Sequence, residues 1–233
     1  MADLPFTFTN RLIASRLQRA VDIDGKIPRA IADLGEIAGR DVVALRTDGP
    51  RAAELRALDA HVTASAEDGA ELPPGCADVV VRFWGESGAV ALPDQPAMSA
   101  IARLLRPDGR VLLVMDYGRD EVARLRPEGE TPEIYRALRA RDAEYAARGF
   151  KLRVLHGWWT FESLEDARSF LVDAFGERGE RVAETMRRPR LSHKVVIYHR
   201  LGADGLVPAT ARGAATAGAS VRGAPGRERT RGA

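Results

Sequence analysis

Acidic, phenolic and histidine side chains stand at the ends of two predicted strands, where they can do chemistry. Asp116 and Tyr117 close an apolar strand pattern, and a carboxylate beside a phenol can orient or deprotonate a nucleophile. Asp116 can equally cap the helix predicted to follow. His156, Trp158 and Trp159 close a later strand pattern, where they either wall a small cavity or pack in the core. The first two residues are therefore catalytic candidates, and the other three are substrate-binding candidates.

Alternating strand and helix patterns provide the framework for these residues. Continuous apolar runs such as 41–45 are typical of strands buried on both faces, and Gly49-Pro50 opens a helix at proline's favoured first position. Strands are predicted at 41–45, 61–64, 77–84, 110–117, 150–159 and 192–200, and further helices at 94–105, 131–148 and from 163 to about 176. This alternation predicts an α/β fold with a doubly wound, mostly parallel, Rossmann-like sheet and helices on both faces.

The composition is that of a globular protein and excludes several classes. Hydrophobic residues make up 45% and charged residues 29% of the chain. There is no run of about 18 apolar residues, so no membrane-spanning helix is expected. Cys76 is the single cysteine, which predicts neither a disulfide framework nor a cysteine metal cluster and favours a cytoplasmic location. His193 and His199 have no third ligand at a matching spacing, so no metal site is expected.

Composition shifts divide the chain into three predicted segments. Residues 1–26 form an N-terminal helical segment with Leu12, Ile13 and Leu17 on its buried stripe, and residues 27–201 form the α/β domain. Residues 202–233 are rich in Ala, Gly and Arg without apolar periodicity, which predicts a disordered basic tail. Because this tail lacks interleaved aromatic residues, nucleic-acid binding is not expected.

An ordered block of motifs spans residues 64–117. An acidic residue precedes a Leu-Pro turn and a glycine, an Asp opens a run of valines, and a basic-Pro-Asp-Gly turn leads into an apolar strand. The residues are Glu67 or Asp68, Leu72-Pro73, Gly75, Asp78 to Val81, Arg106 to Gly109, and Val111 to Val114. This block resembles the middle of a class I S-adenosylmethionine-dependent methyltransferase. The resemblance extends in outline over 27–200, is absent from the tail, and implies S-adenosylmethionine as cofactor.

The sequence departs from this family at two places. The family's opening loop typically reads Asp-x-Gly-x-Gly, whereas residues 44–49 contain one glycine, Gly49, which leaves less room for backbone amides to approach a ligand. The stretch from Asp41 to Ala77 is also short, because the family usually fits two strands and two helices there. The resemblance therefore predicts a sheet shortened at the second and third strand region, with part of the adenosine pocket missing.

The resemblance assigns cofactor-binding roles at the ends of the earlier strands. The turn at Gly49 would meet the amino-acid end of the cofactor, Glu67 or Asp68 its ribose or adenine, and Trp84 can stack on the base. Plainer interpretations stay open: a polar turn, a solvated carboxylate pair, and an aromatic half-buried under a loop. The candidates are Arg46, Thr47, Asp48, Gly49, Glu67, Asp68, Phe83 and Trp84.

Two functional hypotheses follow, and the sequence leaves enzymatic activity open between them. The first is a methyltransferase-like protein that acts on a small molecule. The second is a non-catalytic relative serving as a binding or dimerisation module, for which an exposed edge at the shortened region favours a homodimer. A dehydrogenase ranks last, because no G-x-G-x-x-G follows any predicted strand.

Overall fold

The chain forms a mixed six-stranded sheet in the order β2-β1-β3-β4-β6-β5. The structure is a computed structural model that describes residues 4–47, 49–84, 95–203 and 206. Strands β1, β2, β3 and β4 are parallel neighbours, whereas β6 runs antiparallel to both β4 and β5. The predicted α/β class and mostly parallel, Rossmann-like sheet are confirmed.

Within the described residues the strands are β1 (Asp41–Leu45), β2 (His61–Ser65), β3 (Ala77–Phe83), β4 (Leu105–Asp116), β5 (Lys151–Thr160) and β6 (Arg190–Leu201). The helices are α1 (Arg11–Ala20), α2 (Lys26–Gly35), α3 (Pro50–Arg56), α4 (Gln95–Leu104), α5 (Pro132–Ala147), α6 (Leu164–Phe175) and α7 (Glu177–Thr185). A short 3₁₀ helix, Val122–Leu125, follows β4.

Helices cover both faces of the sheet because the central strands are apolar on both sides. On one face α2 and α3 pack against alternate valines of β1 and β3. On the other face α4 and α5 pack against the remaining residues of these strands. A third cluster joins α1, α6, α7 and Trp159 of β5. The doubly wound arrangement thus buries the sheet between two helical layers.

The sheet is shortened where the sequence predicts it. Among the described residues between β1 and β3, the chain forms one helix, α3, and one strand, β2. Within the described residues β2 pairs with β1 alone, which makes it an edge strand. The β2 side of the sheet therefore ends one strand and one helix earlier than the resemblance implies for the family.

Two local predictions need correction. Leu12 was expected on the buried stripe of the first helix but is 77% exposed, because it lies about 140° around the helix from the fully buried Leu17. The turn at 106–109 exists as an irregularity inside β4 rather than before it, since Leu105 already pairs with Ala77 and Arg110 resumes the pairing at Val79.

Some sequence predictions lie beyond what the structure tests. The tail prediction for 202–233 falls, apart from residues 202, 203 and 206, outside the described residues. The boundary at residue 26 stays a prediction, although α1 contributes Leu17 to the cluster that contains Trp159. Of the described helices, none combines the length and apolarity needed to cross a bilayer.

Candidate functional site

Most of the predicted cofactor and catalytic residues lie at one edge of the sheet, which we call the carboxyl edge. It is where β1, β3 and β4 end, at Leu45, Phe83 and Asp116. The three strands are parallel and in register, with Leu45 beside Arg82 and Phe83 beside Val114. Open α/β sheets bind ligands at this edge, so the geometry brings the candidates to the expected place.

The loop after β1 turns back onto β2 instead of leaving its first amides free. Arg46 has a positive φ of 58°, its amide donates to the Glu67 carbonyl at 3.2 Å, and the Thr47 amide donates to the Ser65 carbonyl at 3.0 Å. Thr47 is fully buried, and Gly49 is the N-cap residue of α3, with φ −135° and ψ −146°. Asp48 lies outside the described residues. A ligand therefore cannot use the first two amides without displacing the pairing to β2.

An acidic loop follows β2 and lies directly beside the first loop. Glu67 is exposed, whereas Asp68 accepts a hydrogen bond from Arg82 Nε at 3.1 Å and has part of its charge neutralised. Arg103 of α4 fixes this loop by donating to the carbonyls of Leu72 at 2.6 Å and Gly69 at 2.7 Å. Glu67 is thus the carboxylate at this position that is most available to a ligand.

The aromatic residues that end β3 are buried. Phe83 packs in the core between the sheet and α2, with 1% of its surface exposed. Trp84 is buried as well, and its indole N–H donates to Asp116 Oδ1 at 2.9 Å. The two side chains therefore form the floor of the carboxyl edge in this structure, rather than an exposed stacking surface.

Asp116 is the centre of a buried hydrogen-bonded cluster, the Asp116 network, formed by Trp84, Asp116, Arg126, Trp159 and His193. Its Oδ1 also meets His193 Nε2 at 3.0 Å, and its Oδ2 accepts from Arg126. Trp159 donates its indole N–H to His193 Nδ1 at 3.2 Å. Because both oxygens are engaged, the network holds the ends of β3, β4, β5 and β6 together.

The hydrogen bonds define the protonation state of His193. An indole N–H can only donate, so Nδ1 carries a lone pair and the ring proton lies on Nε2, facing Asp116. Burial lowers the pKa of His193 from 6.5 to about 4. The ring is therefore neutral at physiological pH, and its contact with Asp116 is a hydrogen bond to a carboxylate rather than an ion pair.

Arg126 connects the network to the N-terminal segment. Besides Asp116, its guanidinium donates to the Pro5 carbonyl at 3.0 Å and lies 4.4 Å from the centre of the Phe6 ring. Burial lowers the pKa of Arg126 to about 10. Nearby, burial raises the pKa of Asp120, whose carboxylate accepts from two backbone amides. Buried and shifted ionisable groups of this kind concentrate at functional sites, although structural networks also produce them.

The remaining candidates are not brought together. Tyr117 is half-buried, and its hydroxyl accepts from Arg119 at 2.9 Å. His156 is exposed. Trp158 is 36% exposed, its ring centre lies 4.3 Å from Arg190 Cζ, and it is on the opposite side of β5 from the fully buried Trp159. The three substrate-binding candidates therefore do not line one cavity.

Sequence reasoning missed two members of the network. Arg126 lies in an unremarkable loop, and His193 attracted attention only as a metal ligand paired with His199. These two histidines lie six residues apart on β6, about 20 Å along a strand, too far to share an ion. The described residues contain no group of three or more His, Cys, Asp or Glu that could hold a metal ion.

The carboxylates at the carboxyl edge suit a sulfonium nucleoside at its ribose end, where they could accept hydrogen bonds from the hydroxyl groups. Glu67 offers an exposed carboxylate there, and Asp68 lies next to it. The fit is poorer at the amino-acid end, because the amides of Arg46 and Thr47 donate to the carbonyls of Glu67 and Ser65. Of the described residues in this loop, Gly49 is then the backbone position left for a ligand to approach. Methyl transfer needs little further from side chains, since it depends chiefly on alignment.

Comparisons with known proteins find similarity in fold alone. No family model matches the chain, and no curated protein matches it. Among solved structures, the BH2331 protein of Bacillus halodurans C-125 is 9% identical over 75% of this chain and 97% of its own, with a TM-score of 0.45. YcgJ of Bacillus subtilis is 11% identical over 75% and 97%, with a TM-score of 0.40.

A third similar structure is geranyl diphosphate C-methyltransferase of Streptomyces coelicolor A3(2), determined with Mg²⁺, geranyl diphosphate and S-adenosyl-L-homocysteine. It is 11% identical over 82% of this chain and 84% of its own, with a TM-score of 0.37. Similarity at this level leaves function to be argued from the site. What these comparisons report is a similarity of α/β fold to proteins of low sequence identity.

Proposed function

We propose that this protein is an S-adenosylmethionine-dependent methyltransferase whose cofactor site is shortened. The observation that carries the proposal is the convergence at the carboxyl edge. Gly49, Glu67, Asp68 and Asp116 come from separate parts of the chain and lie at adjoining strand ends, in the order that the resemblance implies.

The proposed roles follow from the position of each residue at the carboxyl edge and from the hydrogen bonds that it can still make. Glu67 and Asp68 would accept the ribose hydroxyls, and the turn at Gly49 would meet the amino-acid end of the cofactor. The sulfonium supplies an activated methyl group when bound. The Asp116 network would hold the strand ends rigid beneath the cofactor, because a fixed floor keeps nucleophile and methyl group aligned.

We propose a small molecule as the methyl acceptor. The chain's net charge is only +2, and among the described residues of the carboxyl edge Glu67 is exposed, while Arg82 is paired with Asp68 and Arg126 with Asp116. Nucleic-acid acceptors are normally held by a basic stripe. Tyr117 is the side chain we propose to face the acceptor, because it follows Asp116 at the end of β4.

The test is calorimetric binding of S-adenosylhomocysteine to the full chain. We expect saturable one-to-one binding that weakens roughly tenfold or more in Glu67→Gln, because a hydrogen bond to a charged acceptor is lost. Glu184→Gln, an exposed carboxylate on α7, removes the same charge elsewhere and should bind normally. No binding heat at millimolar ligand would eliminate the enzyme proposal.

One observation favours a second candidate, a non-catalytic dimerisation module. The amides of Arg46 and Thr47 are already paired, and β2 leaves its outer edge unpaired among the described residues. Exposed sheet edges pair readily with another chain unless charged residues block them. Analytical ultracentrifugation would then show a dimer for the wild type. Thr63→Lys, which places a charge at an exposed position of β2, would give a monomer. A monomer at all concentrations would rule this candidate out.

A further inference from the structure

A cationic groove lies at the opposite edge of the sheet from the Asp116 network. It has a volume of about 520 Å³ and lies between the end of α2 and the strands β4, β6 and β5. Its lining includes Asp33, Leu34, Arg110, Lys151, His199 and Arg200. The proposed cofactor site lies at the other ends of these strands, so the groove is a separate feature.

Strand register gathers the basic side chains on one face. Lys151 of β5 lies directly opposite His199 of β6, and His199 lies opposite Leu112 of β4. Arg110 lies two residues from Leu112 on β4, and Arg153 lies two residues from Lys151 on β5. Side chains two residues apart on a strand share a face of the sheet. His199 is therefore surrounded by three cations from two neighbouring strands.

The acidic residues nearby neutralise only part of this charge. Glu36, the C-cap residue of α2, pairs with Arg110 at 2.6 Å, and Asp33 of α2 lies 3.9 Å from Arg153. Both carboxylates are exposed, so these pairs are weak. The side chains of Lys151 and His199 have neither a hydrogen bond nor an ion pair within the described part of the chain. Burial, together with Lys151, Arg110 and Arg153, lowers the pKa of His199.

We propose that this groove binds a small organic anion, with a phosphate or carboxylate head held by Lys151 and His199. The apolar part of the ligand would lie against the partly buried Leu34 and the exposed Leu201. An ammonium and an imidazole N–H form charge-assisted hydrogen bonds to such a head group. The ligand would compensate the positive charge that Asp33 and Glu36 leave unneutralised.

The size and lining of the groove favour a small molecule over a nucleic acid. Its volume of about 520 Å³ falls within the range of small-molecule sites, roughly 300–1,000 Å³. Among the described residues, its lining contains three leucines and no aromatic residue on which bases could stack. The proposal is also independent of methyl transfer, because no residue of the carboxyl edge takes part.

The test follows the His199 imidazole of the full chain by NMR during titration with phenyl phosphate, benzoate and inorganic phosphate. We expect saturable binding of an organic anion and a rise in the pKa of His199, because a bound anion favours the imidazolium. The tighter of phenyl phosphate and benzoate identifies the head group. Inorganic phosphate should bind more weakly than phenyl phosphate, because it cannot use the leucines.

Matched variants separate a site from general charge. Lys151→Gln should weaken binding about tenfold through loss of a charge-assisted bond, whereas Arg181→Gln removes the same charge from exposed α7 and should bind as the wild type. Titration without saturation, or equal weakening in both variants, would overturn the proposal. So would tight binding of a single-stranded oligonucleotide that the organic anions fail to displace.

Discussion

Acidification should destabilise this protein through His193. The folded state keeps the buried ring neutral, with a pKa of about 4, whereas the unfolded chain returns it to about 6.5. Below pH 6.5 the unfolded state therefore binds a proton that the folded state does not, and unfolding becomes easier as the pH falls towards 4. This contribution to stability is complete above the unfolded pKa.

The expected size follows from the two pKa values. Between about pH 7 and pH 5 the difference in proton binding lowers the free energy of unfolding by about 2 kcal/mol. Asp120 acts in the opposite sense, because burial raises its pKa and acidification stabilises its folded form. A comparison of variants is therefore needed to isolate the histidine.

Urea denaturation of wild type and His193→Gln at about pH 7 and pH 5 makes this comparison. Glutamine can still donate to Asp116 but cannot titrate, so the variant should be less stable at pH 7 and should lose about 2 kcal/mol less than wild type on acidification. His61→Gln is the control, at a side chain that is 70% exposed. Between about pH 7 and pH 5 it should lose as much free energy of unfolding as the wild type. An unchanged pH dependence in His193→Gln would refute the reasoning.

Two further predictions concern the floor and the acidic loop of the carboxyl edge. Trp84→Phe removes the indole N–H that donates to Asp116 at 2.9 Å, and it should lower the free energy of unfolding by about 1–3 kcal/mol in urea denaturation. Trp158→Phe, at an exposed position, should change this free energy little. Equal effects of the two substitutions would contradict the Asp116 network. Gly69→Ala places a Cβ 2.9 Å from Leu45 Cδ2 at a φ of +69° and should cost about 1–3 kcal/mol. Gly75→Ala, at a φ of +64° with nothing within 4 Å of the added Cβ, should lower the free energy of unfolding less than Gly69→Ala. A larger loss in Gly75→Ala would show that packing at Gly69 is unimportant.

Local signals predicted much of the framework. The apolar run 41–45 forms β1 over the predicted residues, and Thr131 and Ser163 cap α5 and α6 through hydrogen bonds to Ile134 and Asp166. These features depend on residues within a few positions of each other, so sequence patterns capture them.

Features built from distant residues were not predictable in this way. Asp116 and His193 are 77 positions apart and meet only because β4 pairs with β6. The pairing of the first loop with β2 likewise depends on the fold.

The most direct test of the central proposal is an amide NMR titration with S-adenosylhomocysteine. Binding at the carboxyl edge predicts that the amides of Gly49, Glu67 and Asp68 shift together and saturate at one equivalent. Unshifted amides at millimolar ligand, or shifts confined to the groove around Lys151 and His199, would contradict a cofactor site at this edge.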